Sequence, residues 1–281
     1  MDRIVKKIFE VMNLKKRRLL AVLLILFGAT VLFTCMQQPS GANAAKEKLN
    51  IKKLDVDEFF AERDGTFILR EVKKGKTFIY NNERAEQRFA PQSTFKVPNA
   101  LIGLQVGAVE DEYDIKYWDG VKREIEIWNQ DHTLGSGLRN SVVWYYQAMA
   151  RDIGESRMEK WIHKISYGNQ DISGGIDQFW LSSSLKISPI EQVDFMENLY
   201  RENLPFDKDV MKTVKRMMIQ NEGDNYTLYG KTGQGSNIGW YVGFIETKER
   251  DYVFVTNISG TSADARNITK DILQKYHLTK E

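Results

Sequence analysis

Apolar and polar positions follow two rhythms along the chain. Over 65–72 (Gly-Thr-Phe-Ile-Leu-Arg-Glu-Val) and 76–81 (Lys-Thr-Phe-Ile-Tyr-Asn) they alternate, and with Lys73-Lys74-Gly75 between them they predict a β-hairpin. The spacing then lengthens to three and four, which predicts helices over 96–108, 142–152, 155–165, 189–201 and 208–220. The fourth starts with Pro189 directly after Ser188, an order that favours a helix start. Strand patterning returns at 226–232, 238–247 and 251–257 as a meander, and 263–275 closes the chain as a helix. Strands near both ends with helices between them imply an α+β class: an antiparallel sheet completed by both chain ends and flanked by helices, plus a helical lobe.

Ahead of this pattern lies a different one. Residues 1–18 carry seven Lys/Arg against Asp2 and Glu10, and fifteen uncharged residues follow from Leu19 to Phe33, then Pro39 and Ala42-Asn43-Ala44. That order is expected of a secretory signal cleaved after Ala44, so 1–44 is read as a signal peptide or N-terminal anchor and 45–281 as one catalytic domain. The apolar run is short for a span of about 20 residues. The single cysteine, Cys35, follows Leu32-Phe33-Thr34, which makes lipidation the second option. Either route makes the protein secreted or attached to the cell envelope, with membrane attachment only through this segment. The body after Ala44 has no cysteine and must hold together by packing.

Composition narrows the class. With 281 residues, 42% hydrophobic and 11% aromatic, the chain can bury a substantial core. The total charge of +2 divides into +5 for residues 1–18 and −3 for the rest, which gives no electrostatic case for nucleic acid. The three histidines, His132, His163 and His277, have no metal-ligand spacing, and no Gly-x-Ser-x-Gly elbow supports a histidine-based triad.

Ser93-Thr94-Phe95-Lys96 stands at the head of an otherwise apolar helix. Three residues apart, a hydroxyl and an amine share one helical face. If the amine is buried its pKa falls, because burial disfavours the charged form, and a neutral amine can take the serine proton. The tetrapeptide alone also fits a plain helix start, with Gln92 or Ser93 as cap and Lys96 reaching solvent. Ser141 in Asn-Ser-Val-Val-Trp-Tyr-Tyr fits a proton relay or, with Asn140, another cap. Tyr167-Gly168-Asn169 and Trp180 form a glycine-containing loop and an aromatic whose N–H can donate to a buried anion. Gly230-Lys231-Thr232-Gly233 invites a phosphate-loop reading, which fails because Asn225 stands where glycine is needed and a strand pattern follows. On a strand those glycines leave the backbone open to a ligand, and Lys231 and Thr232 suit a carboxylate.

Taken in order, Ser93-Thr94-Phe95-Lys96, Ser141-Val142-Val143, Tyr167-Gly168-Asn169, Trp180 and Lys231-Thr232-Gly233 resemble the motif set of class D, oxacillinase-type serine β-lactamases, with the nearest likeness to chromosomal enzymes of Gram-positive bacilli. The resemblance implies the penicillin-recognising serine β-lactamase/transpeptidase fold and hydrolysis of β-lactams through a serine acyl-enzyme, giving antibiotic resistance. It implies Ser93 as nucleophile and Lys96 as base, carboxylated by carbon dioxide and needing no other cofactor or metal. Ser141 would relay protons, Val143 wall the lysine pocket and Trp180 donate to the carbamate. Lys231, Thr232 and Arg266 would bind the drug's carboxylate, with the backbone N–H groups of Ser93 and Gln234 as oxyanion hole. Position 234 is usually aromatic or apolar in that family. A penicillin sensor or cell-wall peptidase, acylated but slow to deacylate, shares most of these motifs and is the alternative.

Overall fold

The computed structural model describes residues 54–61 and 63–279; the basic head, the apolar run, Cys35 and Ala44 lie outside them. Among the described residues eight strands and eight α-helices follow in order: β1 (Gly65–Glu71), β2 (Lys76–Tyr80), α1 (Asn82–Glu86), α2 (Lys96–Gln105), β3 (Ile115–Lys116), β4 (His132–Thr133), α3 (Leu134–Arg139), α4 (Val143–Ile153), α5 (Glu155–Lys164), α6 (Pro189–Tyr200), α7 (Lys208–Met217), β5 (Ile219–Glu222), β6 (Tyr226–Gln234), β7 (Gly239–Thr247), β8 (Tyr252–Ile258) and α8 (Ser262–Lys275). One six-stranded antiparallel sheet runs β2-β1-β8-β7-β6-β5, so the two ends of the chain do meet in it through β1 and β8. The β1–β8 register is Gly65↔Ile258 through Glu71↔Tyr252.

The central strands are buried on both faces rather than on alternate positions. All of β8 is buried, as is β1 apart from Arg70, because α8 packs against β6, β7 and β8 while α6 packs against β1, β7 and β8. Two helical layers leave no wet face for polar residues to occupy. Helix α6 starts as its sequence suggests, with Pro189 in the first turn and a reciprocal pair of bonds between Ser188 and Glu191.

Helix α7 is shorter than its pattern predicts. It ends at Met217, and 219–222 becomes a short edge strand bonded to β6, with Gly230 N–H reaching the Met218 carbonyl. The exposed edge is only four residues long, which limits its use as a pairing template. The helical lobe centres on α2, whose positions 96–103 are all buried and which packs against α4 and α7. Gly103 lets α4 come close: a Cβ there would stand 2.6 Å from Met149 Sδ.

Candidate active site

The junction of lobe and sheet begins with a tight 3₁₀ turn, Gln92–Phe95, leading into α2. Neither Gln92 nor Ser93 caps it; Pro91 holds the cap position without a side-chain bond. The turn is held instead by Thr94, whose hydroxyl donates to the Pro91 carbonyl at 2.7 Å and accepts from Gln192 Nε2 at 2.8 Å. Phe95 packs on Phe179, Trp180 and Tyr167, with ring centroids 4.9, 5.3 and 5.7 Å away.

That anchoring fixes Lys96 inside the protein. It is fully buried, its amine lies 2.7 Å from Ser93 Oγ, and its pKa falls well below the ordinary lysine value through burial first and the nearby Lys231 charge second. The solvent-reaching alternative is therefore excluded. Ser93 is itself only half-buried, unlike Lys96.

A second serine–lysine pair faces the first. Lys231, on β6, is 4% exposed and donates to Ser141 Oγ at 2.9 Å and to the Thr232 carbonyl at 2.8 Å. Burial lowers its pKa to about 7. Ser141 does not cap α4, whose cap position is Val142; its backbone has a positive φ of 57°, uncommon for a residue with a side chain. The strand comes this close because Gly233 has no side chain: a Cβ would stand 2.9 Å from the Pro91 carbonyl and 3.1 Å from Thr94 Cγ2.

The third contribution is the loop after α5. Tyr167-Gly168-Asn169 closes it structurally: Gly168 has φ +56° and its Cα faces the Lys186 carbonyl so closely that a Cβ would be 2.0 Å from that oxygen. Asn169 donates through Nδ2 to the Ser184 carbonyl at 2.9 Å and accepts from the Lys186 N–H at 2.8 Å. Tyr167 donates to Gln192 Oε1 at 3.4 Å, continuing the network to Thr94. The closed loop brings Trp180 onto Phe95, and its carbonyl accepts from Gln92 N–H at 3.1 Å. The Trp180 indole N–H is buried with no acceptor among the described residues. Gln192, in the first turn of α6 and outside every motif, carries no pattern that would single it out in sequence.

The remaining predicted residues sit at the rim. Thr232 is half-buried and pairs with Tyr241, which senses the Arg266 charge. Arg266, in the second turn of α8, is exposed and has no ion-pair partner among the described residues. Gln234 ends β6 opposite Gly239, and its Oε1 accepts from the Ser262 N–H at 2.6 Å, tying the strand end to α8. Val143 opens α4 half-buried, whereas its neighbour Val142 is fully buried in the core. Chemically, the centre offers a hydroxyl beside a buried amine that holds its proton less tightly than an ordinary lysine, and a second amine that can hold or release a proton near pH 7.

The chain matches the penicillin-binding-protein transpeptidase domain family over residues 53–275. It is 65% identical over 241 residues to the probable β-lactamase YbxI of Bacillus subtilis strain 168, covering 84% of this chain and 90% of that protein. To the β-lactamase OXA-48 of Klebsiella pneumoniae it is 39% identical over 219 residues, covering 75% and 83%. Among solved structures, the class D β-lactamase BAT-2 superposes with a TM-score of 0.82 at 68% identity, over 83% of this chain and 99% of that one. A class D β-lactamase from Bacillus subtilis gives 0.81 at 64%, over the same shares.

Proposed function

This chain belongs to the class D serine β-lactamases, hydrolases of the β-lactam ring, and we propose that it opens penicillin-type antibiotics through an acyl-enzyme on Ser93 and so confers resistance. The observation that carries this reading is the fully buried Lys96 amine 2.7 Å from Ser93 Oγ. The proton leaves Ser93 along that contact as its oxygen attacks the lactam carbonyl. Negative charge developing on the carbonyl oxygen would be met by the backbone N–H groups of Ser93 and Gln234. The lactam nitrogen, released as the C–N bond breaks, takes a proton from Ser141, which is resupplied by Lys231 across their 2.9 Å bond.

The two lysines divide the labour by charge. A substrate carboxylate bound by Thr232, Arg266 and the Lys231 amine would raise the Lys231 pKa from about 7 and draw a proton onto it. That positive charge holds the Lys96 pKa down, since Lys231 already contributes to lowering it.

A carboxylated Lys96 fits the residues present. Carbon dioxide adds to a neutral amine, forming an N–C bond and releasing a proton, and the resulting anion would supply a stronger base for hydrolysis of the acyl-enzyme. The Trp180 indole N–H, buried without an acceptor, is a donor suited to such an anion. Export by the N-terminal segment would deliver the enzyme to where β-lactams act.

The test combines turnover and mass. Purified 45–281 should hydrolyse a chromogenic cephalosporin, and mass spectrometry with a penicillin should find an adduct that Ser93→Ala lacks. An adduct that persists for hours with no product would favour a sensor, and one that survives in Ser93→Ala would refute the assignment of the nucleophile.

A further inference from the structure

Gln92, directly before Ser93, makes contacts that the chemistry above does not use. It is 3% exposed and adopts a left-handed backbone, φ 53°, which a residue with a side chain holds only when its surroundings impose it. Glycine would fit that backbone without strain, but glycine would forgo what the glutamine side chain does. Its Nε2 donates to Ser182 Oγ at 2.6 Å, and its backbone N–H donates to the Trp180 carbonyl at 3.1 Å. Ser182 is likewise left-handed, φ 54°. The same amide lies against the β6–β7 hairpin, where a Cβ on Gly235 would stand 2.9 Å from it. One residue thus touches the nucleophile turn, the loop that carries Trp180, and the strand end that carries Gln234.

We propose that Gln92 is a positioning residue that sets the distance between Ser93 and Trp180, so that its bridge to Ser182 governs deacylation more than acylation. Acylation depends on Ser93 and Lys96, which α2 and Thr94 fix without the bridge. Deacylation in the carbamate reading above also calls on the Trp180 indole N–H, whose loop the Gln92 contacts hold against the nucleophile turn. The proposal rests on the acyl-enzyme reading above and extends it to a residue outside the motifs.

The experiment is a double-mutant cycle with acylation and deacylation measured separately by rapid-quench mass spectrometry. Gln92→Ala and Ser182→Ala should each slow deacylation by about tenfold while leaving acylation within about threefold, as expected for a misplaced rather than deleted catalytic group. The double variant should deacylate no more slowly than Gln92→Ala alone, because both changes remove one interaction. Gln92→Glu should restore part of the rate, since the Ser182 hydroxyl can donate to a carboxylate. Thermal midpoints separate positioning from loosened folding. Unchanged deacylation in the single variants, losses that multiply in the double variant, or equal loss in both steps would overturn the proposal while leaving the assignment of Ser93 as nucleophile standing. Absence of any acyl-enzyme in the unaltered protein would instead overturn the acyl-enzyme reading and this proposal with it.

Discussion

Lys231 Nζ donates to Ser141 Oγ at 2.9 Å across 90 residues of chain, joining the sheet to the helical lobe with one polar bond. The bond sits where burial has already lowered the lysine to about pKa 7, so its proton is held weakly enough to be passed on. Ser141→Ala should therefore slow acylation by roughly 10²-fold or more, the usual worth of a positioned proton donor. Stopped-flow acylation against substrate concentration would show this as a loss in the acylation rate rather than in binding; a change confined to KM would contradict the relay.

The same lysine predicts a pH dependence of activity. If the protonated Lys231 supplies the lactam nitrogen, kcat/KM should fall as pH rises through about 7. The corresponding limb of kcat should lie at higher pH, because the bound carboxylate raises the lysine's pKa in the complex. Superimposable limbs would argue against carboxylate binding at Lys231.

Stability should depend on pH in the opposite sense to a salt-bridged lysine. The folded pKa is about 7 and the unfolded value about 10.4, so between them the unfolded chain binds more protons and stability rises with pH. Below about 7 the buried charge is carried in full. Lys96, lowered by the same cause, acts in the same direction. Urea midpoints of the unaltered protein should rise from pH 7 to pH 9, and Lys231→Met should flatten that rise.

Trp180→Phe keeps the stacking surface on Phe95 and removes only the indole N–H that has no acceptor among the described residues. If that N–H serves a carboxylated Lys96, the variant should accumulate acyl-enzyme and recover rate on adding bicarbonate at fixed pH. Lys96→Ala should show no recovery. Equal rates with and without bicarbonate, and no labelled-bicarbonate carbon signal at Lys96, would leave the plain amine as the base.

Gly233→Ala tests how the site is assembled. The added Cβ would meet the Pro91 carbonyl at 2.9 Å, a backbone atom that cannot swing aside, so β6 must shift away from the 3₁₀ turn. The expected loss is about 1–3 kcal/mol of stability from overpacking, with a larger proportional fall in kcat/KM. A denaturation curve and a turnover assay on one preparation check both; wild-type values for each would mean the strand and turn are not held at contact.

The sequence by itself determined the residue types and most of the scaffold. Period-two segments at 65–72, 226–232, 238–247 and 251–257 became strands with ends displaced by at most two residues, since their β-branched and aromatic content suits a sheet wherever it lies. The order of motifs was legible because each is local: Ser93 and Lys96 share a turn, and Lys231 to Gly233 share a strand. What the chain could not disclose is long-range. The bland reading of Lys96, a lysine reaching water, is undone only by Phe95, Tyr146 and the surrounding core closing over it. The end of α7 was decided by β6, whose free edge offered residues 219–222 strand bonds in place of another helical turn. The Thr94–Gln192–Tyr167 network and the Gln92–Ser182 bridge join residues up to 98 positions apart. Side-chain amides and hydroxyls of this kind are common everywhere in a sequence, and only packing decides which pair is buried together and must hydrogen-bond. The lowered pKa values follow from the same cause, because desolvation belongs to the folded neighbourhood of a lysine and not to the lysine.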